Sequence, residues 1–202
     1  MGKSLLIIGA GGHARSVLES ATFSYEKISF FASDPKSKID GYEVFSGELP
    51  QNFDEFIVAI GDNKTRLKLT REYIAKGLRA AIIIHPSAIV SDRAKIGLGS
   101  VVLAGAIINA FAEIGAACII NTGAIVEHDC RIGDGAHLSP GAALGGTAIV
   151  GEASWICIGA NVANNITIGW GAIVAAGAAV VRDVPSDVLA AGVPATVKKE
   201  LK

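Results

Sequence analysis

The 202-residue sequence predicts two units of different architecture: a small α/β unit of about eighty residues, then a parallel β-helix. Three observations carry this. An aliphatic residue recurs every sixth position from Ile84 to Val180, seventeen times without a slip. A second column, two residues ahead of the first, is small at nearly every place (Ala106, Ala112, Cys118, Ala124, Cys130, Ala136, Ala142). Residues 1–95 also hold 24 of the 37 charged side chains, whereas 96–181 hold six. A helix needs a period of 3.6 and an ordinary strand a period of two, so neither produces both columns. A hexapeptide repeat does, with short strands meeting at corners and each coil stacking on the last. Gly97, Gly115, Gly133, Gly151 and Gly169 mark one corner of successive three-sided coils, where glycine is expected to relieve the turn.

The first eighty residues alternate strand and helix. Leu5–Ile8 reads as a buried strand, Gly9 to Ala14 as a turn, and Ala14–Ser20 as a helix. Ile28–Ala32 is a second strand ending near Asp34, and Phe56–Ile60 a third. Thr65–Ala75 is a helix stopped by Gly77, and Ala81–Ile84 a fourth strand of the same sheet. The expected divisions are 1–85, 86–184 and a capping tail, 185–202, that turns through Gly192-Val193-Pro194 into a short basic helix, Thr196–Lys202.

Several function classes fall away on composition. A net charge of −1 and a pI near 6.4 leave no basic surplus for nucleic acid or an anionic membrane. The uncharged stretch 153–181 is long enough to span a membrane, but it carries Asn161, Asn164, Asn165 and the six-residue period. Cys118, Cys130 and Cys157 form no CxxC pair, and the first two fall in the small column, which makes them packing residues. The apolar start is too short for a signal peptide, so a soluble protein of the reducing cytoplasm is expected.

Two places carry chemistry. Gly9, Gly11 and Ala14 occupy the positions of a GxGxxG/A turn, with an acid, Asp34, after the next strand. The unit has room for one βαβ half, which suits a mononucleotide rather than a dinucleotide; a turn needed only for packing is the alternative. His13, directly after the glycines, either reaches a phosphate or sugar or caps the helix, and His85 before Pro86 reads as structural. In the β-helix, four of the six charges fall between Glu127 and Asp134, around His128, with His137 nine residues on. An imidazole among carboxylates is how a general base is built, with Asp129 or Glu127 fixing its tautomer. A solvated corner with idle histidines is the bland alternative. A zinc site shared between subunits would need three histidines where this unit has two, so no metal is expected.

These residues resemble the bacterial hexapeptide acyltransferases that acetylate nucleotide-linked amino sugars, such as those of the bacillosamine pathway, and the related sialic acid O-acetyltransferases. The resemblance runs through Gly9–His13, Ala59-Ile60-Gly61-Asp62-Asn63, Ile84-His85-Pro86-Ser87-Ala88, Asn121-Thr122, Val126-Glu127-His128-Asp129-Cys130 and Gly192-Val193-Pro194-Ala195. It implies a Rossmann-like half domain followed by a left-handed parallel β-helix, a homotrimer, and acetyl-CoA lying between two helices. It further implies His128 as catalytic base, with Asp129 and Glu127 beside it, and His137 near the acetyl group. Gly146 matches a backbone N–H donor to the thioester carbonyl, and Ile158 and Ala176 the passage of the pantetheine arm. Gly11, Gly12, His13, Asp34, Lys36, Gly61 and Asn63 match the nucleotide-sugar pocket. The implied reaction is N-acetylation of a 4-amino sugar, of the UDP-4-amino-4,6-dideoxy type. O-acetylation of a sialic acid uses the same helix and base; a non-catalytic β-helix binding protein would bind no acetyl-CoA.

Overall fold

A computed structural model describes residues 2–34 and 36–201. The amino-terminal unit is a four-stranded parallel sheet in the order β3-β2-β1-β4, formed by β1 (Ser4–Ile8), β2 (Lys27–Phe31), β3 (Val44–Phe45) and β4 (Glu55–Val58). Alternation along β1 divides its apolar run: Leu5 and Ile7 enter the core shared with α1 (Gly12–Ala21), while Leu6 and Ile8 enter the opposite one. The second layer contains Leu69 and Tyr73 of α2 (Asn63–Ala75), whose first turn is capped by Asp62 accepting from Thr65 N–H at 2.8 Å.

The expected fourth strand, Ala81–Ile84, is not in this sheet. Only Ala80 bridges to Phe56, and Ile83–Ile84 (β5) pairs instead with Val101–Val102 as the first rung of the prism. The fourth strand of the sheet is β3, a two-residue segment with no pattern of its own.

From β5 onward, two-residue strands recur every six residues and pair in register with the strand eighteen residues later, as Val101 does with Ile119 and Ile119 with His137. Three faces result. Face 1 holds the strands beginning at 83, 101, 119, 137, 155 and 173; face 2 those from 89 to 179; face 3 those from 95 to 167. The aliphatic column fills the axis, where Ile108, Val126, Leu138, Leu144 and Ile156 are buried in one core. Polar members of the small column join successive coils: Ser100 Oγ donates to Gly115 O at 2.8 Å, and Cys118 and Cys130 thiols lie 3.2 Å from Gly133 O and Gly145 O. Burial pushes the Cys118 thiol up to about 12, as suits a packing residue.

The corners use two devices, and only one is the expected relief of a turn. From Gly99 to Gly177 the third residue of each corner takes a positive φ near +60°, occupied by Gly123, Gly135 and Gly141 but also by Phe111, Asp129 and Asn165. The column Gly97, Gly115, Gly133, Gly151, Gly169 instead reflects close approach: a Cβ on Gly133 would lie 2.6 Å from Glu152 N, and one on Gly151 2.4 Å from Trp170 N. Coils stack there with no room for a side chain.

The α/β unit sits on face 1, where Ile83, Val101 and Ile119 are buried, and α2 runs along the corner between faces 3 and 1. Its Arg66 is fully buried and is surrounded by carbonyl groups. Nε donates to Ala117 O at 2.8 Å, Nη1 to Ile60 O and Gly61 O at 3.1 and 3.2 Å, and Nη2 to Gly135 O at 2.7 Å and Asn63 Oδ1 at 2.9 Å. Burial lowers the guanidinium to about 10, which leaves it charged at neutral pH. Arg71 adds exposed ion pairs to Asp134 and Glu152.

The tail departs from expectation. Instead of a helix over Thr196–Lys202, the chain forms an antiparallel hairpin of Val188–Gly192 and Ala195–Glu200; Lys202 lies outside the described residues. The open edge left by Ile173–Val174 needs backbone partners, which Leu189 and Ala190 supply, and lysines keep the new outer edge polar. Among the described residues no helix is long and apolar enough to cross a membrane.

Two stability predictions follow from these contacts. Gly133→Ala should cost about 1–3 kcal/mol, the usual penalty of overpacking, read from the urea midpoint. Arg66→Leu should cost at least about 3 kcal/mol, because each buried carbonyl left without a donor costs about 1–3 kcal/mol. Limited proteolysis between residues 76 and 82 should then reveal loosened domains.

Candidate active site

The glycine turn opens a cleft of about 720 Å³ at the carboxyl ends of β1 and β2, lined by Gly9, Gly11, Gly12, His13, Asp34 and Gly61 among others. Gly9 has φ of +118°, and a Cβ there would lie 2.8 Å from Ala59 O, so this first glycine is required by backbone and by space. Gly11 caps α1 without a side-chain hydrogen bond, so no side chain occupies the first-turn N–H groups, the kind of helix end that suits an anion. His13 has its Nε2 buried without a partner among the described residues. Burial, then the Arg66 charge, lowers its pKa to about 4, so it is a neutral imidazole at physiological pH. Asp34 Oδ1 accepts from Lys36 N–H at 2.9 Å; the Lys36 side chain is exposed and does not line the cleft.

Asn63 also bridges the two domains. Its side-chain nitrogen donates to Ala153 O and Ser154 O, both at 3.1 Å, while its oxygen accepts from Arg66, so the amide joins the two domains. A recess of about 470 Å³ begins at Gly61 and Asn63 and reaches His137 and Trp155 on face 1. His137 stacks on the Trp155 indole, with centroids 5.8 Å apart and planes at 7°, and its Nε2 is 3.1 Å from Asn121 Nδ2. Burial, Arg66 and His13 together lower His137 to about 3.

His128 and Asp129 occupy the corner between faces 2 and 3, with His128 Nδ1 2.8 Å from Asp129 Oδ2. Asp129 holds the left-handed position of its corner, with φ of 59°, a conformation that Asp tolerates better than most residues. Glu127 makes no side-chain hydrogen bond among the described residues, so the carboxylate that meets the imidazole is Asp129. One coil on, a Cβ added to Gly146 would lie 2.6 Å from His128 Nε2, so the ring rests on bare backbone. Ile158 and Ala176 are exposed at the third corner, between faces 1 and 2.

The structure thus joins His13 and His137 in one electrostatic neighbourhood and His128, Asp129 and Gly146 in another. The two are on opposite sides of one chain, because the corner between faces 2 and 3 is opposite face 1. Arg66 and Trp155 were not among the residues singled out by sequence. An arginine on a helix of charged residues looks like a surface residue, and Trp155 is simply the outward partner of Ile156.

Acid sensitivity follows from the two lowered histidines. Both have ordinary values of 6.5 when unfolded and lower values when folded, so between about pH 6.5 and 4 the unfolded chain binds more protons. Stability is full above that window and falls as pH drops through it, by up to about 1.4 kcal/mol per unit for each histidine. Urea midpoints measured from pH 7 to 4 should fall, and fall less in His13→Gln.

The PglD N-terminal domain family matches residues 4–73, and the bacterial transferase hexapeptide (six repeats) family matches 111–146. The chain is 43% identical to a histidine-to-asparagine variant of perosamine N-acetyltransferase from Caulobacter crescentus, solved with CoA and GDP-perosamine. That match covers 98% of this chain and 97% of the other, with a TM-score of 0.94. The acetyltransferase domain of PglB from Neisseria gonorrhoeae FA1090, in complex with acetyl coenzyme A, is 36% identical over 98% of this chain and all of its own, with a TM-score of 0.93. The UDP-N-acetylbacillosamine N-acetyltransferase of Bacillus subtilis (strain 168) is 43% identical over 113 residues, half of this chain. The match spans 52% of that curated relative. The chain belongs to this family of nucleotide-sugar N-acetyltransferases, hexapeptide-repeat acyltransferases with a PglD-type amino-terminal domain.

Proposed function

We propose that the chain transfers the acetyl group of acetyl-CoA directly to the 4-amino group of a nucleotide-linked amino sugar, of the UDP-4-amino-4,6-dideoxy type. The observation that carries this reading is the His128–Asp129 pair at 2.8 Å. With Nδ1 bonded to the carboxylate, Nε2 is the atom left to accept a proton. As the sugar nitrogen attacks the thioester carbonyl, the N–C bond forms and the nitrogen's proton passes to Nε2. Collapse of the intermediate breaks the C–S bond and releases CoA as its thiolate. Gly146 N–H has no partner among the described residues and is the donor offered to the developing oxyanion.

The remaining parts have matching chemistry. First-turn N–H groups of α1 suit a pyrophosphate and Asp34 a ribose hydroxyl. Exposed Ile158 and Ala176 give the pantetheine arm an apolar edge. GDP-perosamine in one relative, and the UDP-linked sugar in the name of another, support a nucleotide amino sugar as the acceptor class. Assembly as a homotrimer answers the separation of the two histidine sites, since a neighbouring copy can set its corner between faces 2 and 3 against face 1 of this one. Face 2 offers an apolar row for such packing: Ile89, 65% exposed, then Ile107, Ile125 and Ala143.

Thiol release from acetyl-CoA with UDP-, dTDP- and GDP-linked 4-amino sugars and with sialic acid tests the reading. Turnover with a UDP-linked amine is expected; turnover with sialic acid alone overturns the acceptor. His128→Ala should lower kcat about 10²–10⁴-fold, the usual worth of a general base. An unchanged kcat removes His128 from the mechanism.

A further inference from the structure

Face 1 carries a three-residue unit that the transfer step above does not use. Asn121 follows the strand Ile119–Ile120, and its Oδ1 accepts from Thr122 N–H at 2.8 Å. That bond identifies which end of the amide is oxygen, so the end 3.1 Å from His137 Nε2 is the NH₂ group. An amide NH₂ only donates, so Nε2 must accept, and a neutral imidazole that accepts at Nε2 carries its hydrogen on Nδ1. The ring is parallel to the Trp155 indole, which is itself anchored by Nε1–H donation to Ser139 Oγ at 2.7 Å. Arg66 and His13 both disfavour an imidazolium there, and Asp62, Lys64 and Asp187 are the other charged groups that line the same recess.

We propose that Asn121 is a positioning residue that holds His137 as the neutral Nδ1–H tautomer, so that His137 acts on the bound ligands as a hydrogen-bond donor and not as a base. The two histidines of the helix then have opposite polarity. At His128 the carboxylate occupies Nδ1 and leaves Nε2 to accept; at His137 the amide occupies Nε2 and leaves Nδ1–H to donate. The acceptor of that hydrogen bond is a ligand oxygen in the recess that His137 lines with Gly61, Lys64 and Trp155. A neutral donor polarises such an oxygen without losing its proton, and it binds more strongly as negative charge develops. Deploying the donor on a thioester or amino sugar rests on the acetyl-transfer reading above. The tautomer itself does not.

Ring-nitrogen NMR on ¹⁵N-histidine protein without ligands, at pH 7, reads the tautomer; His137→Gln assigns the signals. The expected spectrum has a protonated Nδ1 and an unprotonated Nε2 for His137. An Nε2–H ring or an imidazolium overturns the proposal. Asn121→Asp places an acceptor against Nε2 and should move the hydrogen there. It should also lower kcat roughly 10–100-fold, the usual effect of losing a partner that orients a functional histidine, with KM for acetyl-CoA little changed. Asn121→Ala should leave both tautomers populated and lower kcat less. Melting temperatures of both variants separate misfolding from misorientation. An unaltered ring spectrum in Asn121→Asp, or unaltered kcat despite the altered tautomer, refutes the assigned role. If no amino sugar is acetylated by the unmodified protein, the transfer reading fails while the ring spectrum still decides the tautomer.

Discussion

A buried guanidinium, Arg66, lies at the centre of the junction where the two architectures meet. Its donors reach the carbonyl groups of Ile60 and Gly61, which line the cleft at the glycine turn, and those of Ala117 and Gly135, which belong to corners of the prism. Gly135 lies two residues before His137, so the floor of the cleft and the strand carrying the second histidine share one hydrogen-bonded centre. Burying a charge without a directly bonded carboxylate is costly, and only a full set of well-placed acceptors makes it tolerable. Rigid acceptors are what the prism provides, because its corners repeat with fixed backbone geometry. The same charge acts on both nearby imidazoles and disfavours their protonation. Domain docking and histidine electrostatics are therefore one problem, with one solution.

Legibility in the sequence followed the reach of each pattern. The aliphatic column from Ile84 to Val180 could be read without structure because every coil imposes the same interior. The Gly9 turn was legible because its backbone conformation and its close approach to Ala59 admit little else. Short-range signals failed where a distant partner decides the outcome. β3 is two residues long, and Ile83–Ile84 pairs with the prism because Val101–Val102 lies beside it. The Lys-rich tail has helical propensity, yet the unsatisfied edge above Ile173–Val174 outweighs it. Arg66 and Asn63 carry no mark of burial, because what buries them lies fifty to ninety residues away.

Position also separates the two histidines by chemistry. His128 stands on an exposed corner, with its Nδ1 2.8 Å from the Asp129 carboxylate. His137 is packed among an indole, an amide and a buried cation, where positive charge is opposed. One residue type thus meets two surroundings, and the fold supplies both by exposing one position and covering the other. Asp129 illustrates the economy of the corner: the left-handed backbone and the imidazole contact are met by the same short acidic side chain.

The unbroken register of eighteen residues makes the prism a ruler. His137 stands three rungs above Ile83, about 14 Å at the ordinary spacing of neighbouring strands, and no local contact sets that height. Residue count alone sets it. Losing one residue from any corner below would turn every later side chain by one place, sending Leu138 outward and His137 toward the axis. Whole coils could be added between the histidines and the hairpin without moving either histidine. The length of the solenoid is thereby free to vary, while the distance between cleft and site is counted out one residue at a time.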